Sequence, residues 1–101
     1  MDIDYREDAP SLEQVSATGG LLLLEFGAPW CGHCQAAQPA IAEALASHPV
    51  EHLRIADGKG KPLGRSFGVK LWPTLILLSN GQEQARVVRP TSQEDLAALF
   101  A

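Results

Sequence analysis

Apolar residues fall in this chain into short runs with two different periods. Residues 21–26 read Leu-Leu-Leu-Leu-Glu-Phe, with glycines at 19–20 and 27. A run without polar alternation, bounded by glycines and too short for a helix, predicts a strand buried on both faces of a sheet. Leucine is a mediocre strand former, so length and flanks decide this assignment, not propensity. Residues 50–56 carry Leu53 and Ile55 in alternate positions and read as a second strand. The apolar run 75–78 is a third. Ser79-Asn80-Gly81-Gln82 is a tight-turn signal, and residues 83–88 alternate polar and apolar, as its hairpin partner should.

Helical spacing fills the gaps between these strands. Ser11 and Gln14 have capping-box spacing, with Leu12 and Val15 as an apolar stripe, so a short helix runs to about residue 17 before Gly19-Gly20. Residues 35–47 are alanine-rich, with Ile41 and Leu45 four apart on one face. Pro39 inside this run should remove one backbone bond and kink the helix or end its first segment; Pro49 stops it. Residues 57–60 are a loop, and Pro62 suits the first position of a short helix that ends at Gly68. Thr91 and Glu94 form a second capping box before Leu96, Leu99 and Phe100. The order α β α β α β β α implies parallel βαβ units followed by a hairpin and a helix. That is an α/β architecture, a central mixed sheet with helices on both faces. Residues 1–10, of mixed charge and ending at Pro10, read as a flexible lead-in to a domain over 11–101.

Composition narrows the function classes. The 101 residues suit one domain. A net charge of −4 argues against a nucleic-acid partner, which would need a basic patch. No apolar run approaches the roughly 20 residues needed to span a bilayer, so no membrane partner is expected. The first residues lack the basic start and apolar core of a signal peptide, and the chain is read as cytoplasmic. A mature secreted product restarted at Met1 would read the same way.

Candidate chemistry lies at Trp30-Cys31-Gly32-His33-Cys34, which holds both cysteines of the chain, between strand 21–26 and the alanine-rich helix. A disulfide at this spacing closes too small a loop to staple a fold, so the pair reads as reactive. At a helix start, orphan N–H groups and the macrodipole favour a thiolate. Cys31, the first of the pair, should attack; Cys34, one turn along and more buried, should resolve the mixed disulfide. His33, when protonated, favours the thiolate. By stabilising the reduced form it should make the pair more oxidising than one with proline in that place.

Other patterns compete for the same residues. Cys31-x2-Cys34-x13-His48-x3-His52 falls close to zinc-finger spacing. Pro49 lies between the histidines and a helix follows the cysteines directly, so no metal is expected. His48 and His52 then read as surface residues around a helix end. Glu25 is either a salt-bridged residue at a strand end or a buried acid near Cys34 whose raised pKa lets it take and return a proton. Trp30 and Trp72 can both be plain core aromatics.

The segment Phe26-Gly27-Ala28-Pro29-Trp30-Cys31-Gly32-His33-Cys34, with Pro39, Pro73-Thr74 and Asn80-Gly81, resembles the thioredoxin family over about residues 10–101. The resemblance implies a four- or five-stranded sheet, a cis bond at Trp72-Pro73 facing the dithiol, and the roles above for Cys31 and Cys34. It places Glu25 at the family's buried carboxylate. Gly-His inside the motif is similar to disulfide isomerase domains; reductant thioredoxins carry Gly-Pro. Four departures stand out. Gly27 replaces a usual aromatic, and Leu53 falls where a buried lysine partners the carboxylate, with adjacent Arg54 expected to face away. Trp72 is bulky before the proline, and Arg89-Pro90 replaces a glycine.

The resemblance implies a thiol–disulfide oxidoreductase with no cofactor beyond its own Cys31–Cys34 disulfide. On this reading Glu25 is expected to relay the Cys34 proton, His33 to tune the potential, and Trp30, Trp72, Pro73 and Arg89 to bind substrate. Partners would be disulfide-containing proteins, with a thioredoxin reductase or glutathione as electron donor, and the chain would act as a monomer. Thioredoxins and protein disulfide isomerases, the reference proteins for this redox scale, bracket roughly −270 to −180 mV. His33 points to the oxidising part. The rival readings are a chaperone-like binding module with an idle dithiol, and a redox sensor with little turnover.

Overall fold

The leucine run becomes a central strand. The computed structural model describes residues 4–101. In chain order its elements are α1 (Leu12–Ser16), β1 (Leu21–Gly27), α2 (Gly32–Ser47), β2 (Glu51–Ala56), α3 (Pro62–Ser66), β3 (Thr74–Ser79), β4 (Gln82–Val88) and α4 (Gln93–Ala97), followed by a 3-10 turn (Ala98–Phe100). The strands lie in the order β2-β1-β3-β4. β1 runs parallel to β2 and antiparallel to β3, and β3 pairs antiparallel with β4. Only one βαβ unit is therefore parallel, where the sequence implied more than one. The 16-residue α2, about 24 Å long, carries the chain back along the strands. The 5-residue α3, about 7.5 Å, does not, and β3 starts from the end at which β2 finished.

Burial on both faces follows from the run's lack of alternation. Leu23, Leu75 and Leu77 pack with Ala37, Ile41 and Ala44 of α2 and Leu96 of α4. Leu22, Leu24, Phe26, Ile76 and Leu78 pack on the other face with Val15 of α1 and Leu63 of α3. Pro39 does not end α2, which runs through it to Ser47. Its missing N–H orphans only the Gln35 carbonyl, and Pro39 lies on the exposed side of the helix. The last helix is capped one residue later than its sequence indicated. Thr91-Ser92-Gln93-Glu94-Asp95 holds two overlapping capping frames, and the structure takes the second, with Ser92 accepting from Asp95 N–H. Thr91 instead donates its N–H to the Asp95 carboxylate at 3.0 Å.

Part of the expected flexible lead-in is docked. Arg6 N–H donates to the Arg54 carbonyl at 2.9 Å, and Ala56 N–H donates to the Arg6 carbonyl at 2.8 Å. The reason is β2, an edge strand whose unpaired N–H and C=O groups take up the segment as a parallel bridge. Tyr5 beside it is only 5% exposed. Residues 1–3 of the lead-in lie outside the described residues. Among the described residues no helix is long and apolar enough to cross a membrane.

Candidate active site

β1 delivers the chain to the N-terminus of α2 through a tight Ala28-Pro29-Trp30 turn. The Gln35 side chain ties this turn down by donating to the Pro29 carbonyl at 2.9 Å. Cys31 is the N-cap of α2, and its Sγ accepts the Cys34 N–H at 3.2 Å. A sulfur in that position sits where helix N–H groups and the macrodipole favour negative charge. Cys34 lies one turn further on and is fully buried, and neither thiol is bridged. Burial, reinforced by the hydrogen-bonded Cys31, pushes the Cys34 thiol up to about 12. Cys34 is thus a neutral thiol at physiological pH.

Beside the dithiol the Trp72–Pro73 peptide bond is cis. Trp72 packs against the buried cluster of Tyr5, Ala28, Cys31, Cys34 and Ala56, and its indole N–H donates to Asp57 at 2.8 Å. Trp30, 73% exposed, meets Trp72 edge to face with ring centroids 5.6 Å apart. Arg89 donates its backbone N–H to the Pro73 carbonyl at 2.9 Å and its Nε–H to the Trp72 carbonyl at 2.8 Å. It does so at φ +53°, a conformation that suits glycine. His33 is exposed and, with Ala36, Arg89, Pro90 and Thr91, lines a cavity of about 250 Å³. The structure thus brings Cys31, Cys34, His33, Trp30, Trp72, Pro73 and Arg89 to one end of the sheet.

Glu25 lies under this surface, fully buried. Its carboxylate accepts from the Tyr5 hydroxyl, from Gln38 Nε2 at 2.9 Å and from Arg54 Nε at 3.3 Å, with His52 Nε2 at 2.8 Å. Arg54 also donates from a terminal guanidinium nitrogen to the side-chain Oε1 of Gln38 at 2.5 Å. Three expectations are corrected here. Arg54 does not face away, because Leu53 and Ile55 take the opposite face of β2 and Arg54 stands in register with Glu25. His52 is not a bystander at a helix end, since the same alternation aims it at Glu25. Nor is Glu25 an acid of raised pKa. Burial works to raise it, but hydrogen bonds from His52, Tyr5 and Gln38 outweigh burial and hold it below the usual carboxylate range. At neutral pH it is therefore ionised and able to accept a proton. His48, by contrast, stacks on Phe100, with ring centroids 4.6 Å apart.

Tyr5 and Gln38 escaped the sequence reading. Gln38 could have been found, since it follows Cys34 by four residues and so lies on the same helix face. Tyr5 carries no comparable signal. It does account for Gly27: a Cβ there would stand 2.6 Å from Cys34 Sγ and 2.9 Å from Tyr5 Oη. The tyrosine ring fills the space that an aromatic at position 27 would need.

Comparison with known proteins agrees with this geometry. Residues 6–101 match the family model described as Thioredoxin. Reduced thioredoxin 2 from Pseudomonas aeruginosa PAO1 superimposes with a TM-score of 0.87 at 50% identity, over 99% of this chain and 94% of that one. Thioredoxin of Chlamydia pneumoniae is 38% identical over 85 residues, covering 80% of each chain. Protein disulfide-isomerase of Gallus gallus is 39% identical over 82 residues, 76% of this chain but 16% of that protein. Against a rice protein disulfide isomerase-like 5-3 the chain likewise spans 19% of the relative's length. With its fold, its paired cysteines and its match over residues 6–101, the chain belongs to the thioredoxin family.

Proposed function

We propose that this protein reduces and exchanges disulfides through Cys31 and Cys34 in two steps. The Cys31 thiolate attacks a substrate disulfide, forms a mixed disulfide and releases one substrate sulfur as thiolate. Cys34 then loses its proton and attacks Cys31 Sγ. The Cys31–Cys34 bond forms, the second substrate thiolate leaves, and the protein has given up two electrons. A thioredoxin reductase, or two molecules of glutathione that leave as their disulfide, returns the two electrons and restores the pair. The observation that carries this reading is the asymmetry of the two sulfurs. One caps a helix and accepts an N–H at 3.2 Å, while the other is fully buried one turn behind it.

An extended disulfide-bearing segment would lie beside Trp30, Trp72, Pro73 and Arg89, where two indoles give apolar contact and the guanidinium favours acidic neighbours. His33, exposed beside the pair, sets the potential towards the oxidising end of the family range through its positive charge when protonated. The isomerase-like Gly-His pair supports exchange and isomerisation as well as net reduction.

The test is insulin disulfide reduction by dithiothreitol, with and without the protein. The wild type accelerates it, Cys31→Ser abolishes the acceleration, and Cys34→Ser accumulates a mixed disulfide visible by mass spectrometry. Iodoacetamide at neutral pH labels Cys31 and spares Cys34. A wild type no faster than dithiothreitol alone would leave the fold as a binding module.

A further inference from the structure

One hydroxyl stands between the Glu25 carboxylate and the Cys34 thiol. Tyr5 donates its O–H to Glu25 Oε2. Its ring packs in the same buried cluster as Cys31 and Cys34. Tyr5 Oη and Cys34 Sγ share the space over Gly27, within 2.9 Å and 2.6 Å of one point, the position of an added Cβ. The remaining partners of Glu25 lead elsewhere. His52 and Arg54 hold Oε1, and Gln38 reaches Cys34 only at its backbone carbonyl.

We propose that Tyr5 carries the proton between Cys34 and Glu25 during the resolving step. The proposal rests on the thiol–disulfide reading above and assigns a residue of the N-terminal segment to that chemistry. As Cys34 Sγ bonds to Cys31 Sγ, its proton passes to Tyr5 Oη while the phenolic proton passes to Glu25 Oε2. The Cys31–substrate S–S bond breaks and the substrate leaves as thiolate. Glu25 passes the proton on to solvent, because its hydrogen-bond donors favour the carboxylate, and Tyr5 is unchanged; reduction of the disulfide by a dithiol runs the transfer backwards. Concerted movement is required because burial, then the charge and hydrogen bond of Glu25, drive the Tyr5 phenol far above its ordinary range. A free phenolate is therefore not an intermediate. Gly27 belongs to the same device, since any side chain there would part the two groups.

The experiment is stopped-flow reaction of the reduced protein with 5,5′-dithiobis(2-nitrobenzoate), which releases one thionitrobenzoate when Cys31 attacks and a second when Cys34 resolves. Tyr5→Phe keeps the ring and removes the hydroxyl. It should leave the first phase unchanged and slow the second by roughly a hundredfold. Glu25→Gln should slow the same phase, and the double variant should be no slower than the worse single variant. The pH profile separates a proton carrier from a packing residue. The groups facing this path are Cys31 and Cys34 from α2, Glu25 from β1, and His52 and Arg54 from β2. With Glu25 ionised throughout, the wild-type second phase should be flat between about pH 6 and 9, whereas in Tyr5→Phe it should rise about tenfold per pH unit.

The chain holds a single tyrosine, so biosynthetic 3-fluorotyrosine alters phenol acidity at that site alone without changing the fold. It should change the second phase and not the first, which keeps the proposal testable if Tyr5→Phe unfolds. A second phase indifferent to both replacements overturns the role of Tyr5 and leaves the redox reading standing. A wild type with no first phase overturns the redox reading itself.

Discussion

Gly27→Ala adds one methyl where β1, α2 and the N-terminal segment meet, and its cost can be worked out from the contacts. The new Cβ would stand 2.6 Å from Cys34 Sγ, 2.9 Å from Tyr5 Oη and 3.0 Å from Tyr5 Cε1. Comfortable heavy-atom contact needs about 3.5–4.0 Å, so Cys34 Sγ must retreat by roughly 0.9–1.4 Å and the two Tyr5 atoms by roughly 0.5–1.1 Å. Neither is free to do so: Cys34 is fully buried on α2, and Tyr5 is held by Glu25. Overpacking of this kind costs about 1–3 kcal/mol. Exchanging glycine for alanine within a strand returns about 0.5 kcal/mol, leaving a net loss of about 0.5–2.5 kcal/mol. An unfolding entropy of about 2.1 cal/mol/K per residue over 101 residues converts this to a Tm lower by about 2–12 °C. The assay is thermal unfolding of the reduced protein by circular dichroism. Gly19→Ala is the control, because a Cβ there meets nothing within 4 Å. In a Tyr5→Ala background the penalty should shrink, since only the Cys34 contact remains. A Gly27→Ala protein as stable as the wild type would refute the claim that Tyr5 and Cys34 are packed against that glycine.

Two further outcomes follow from the same surroundings. Because the folded pKa of Glu25 is depressed, its stabilising contribution is complete above the unfolded carboxyl value of about 4.3 and is lost as pH falls through the folded value. Denaturant unfolding from pH 7 downwards should therefore show the wild type losing stability below about pH 4.3 more steeply than Glu25→Gln; parallel curves would contradict the network. Arg89→Gly should be more stable than Arg89→Ala by about 1–2 kcal/mol, since both lose the side-chain bond to Trp72 and only alanine keeps the φ of +53° under strain. Equal midpoints would show that this backbone conformation is relaxed in the variants.

Local patterning made much of this protein legible. The unalternating run at 21–26 announced a strand covered on both sides, and Asn80-Gly81 announced a hairpin turn, whose residues take φ +51° and +82°. Both are short-range effects, in which a few side chains set burial or backbone conformation without help from afar. The dithiol was legible for the same reason, since two cysteines at this spacing before a helix need only one turn of backbone to become chemically unequal.

The hydrogen-bond surroundings of Glu25 and Cys34 were not. Glu25 could be placed, but its protonation depends on which donors surround it. Those donors come from β2, α2 and the N-terminal segment, brought together by strand register and by an edge strand that captures Arg6. Burial alone would raise the carboxyl; only the assembled donors reverse the sign. The sequence by itself determined most of the elements and the placing of the cysteine pair at the start of α2, because those rest on neighbours in the chain. Tertiary structure decided what faces the pair, because hydrogen bonds among Tyr5, Glu25, Gln38, His52 and Arg54 join positions that no local period connects.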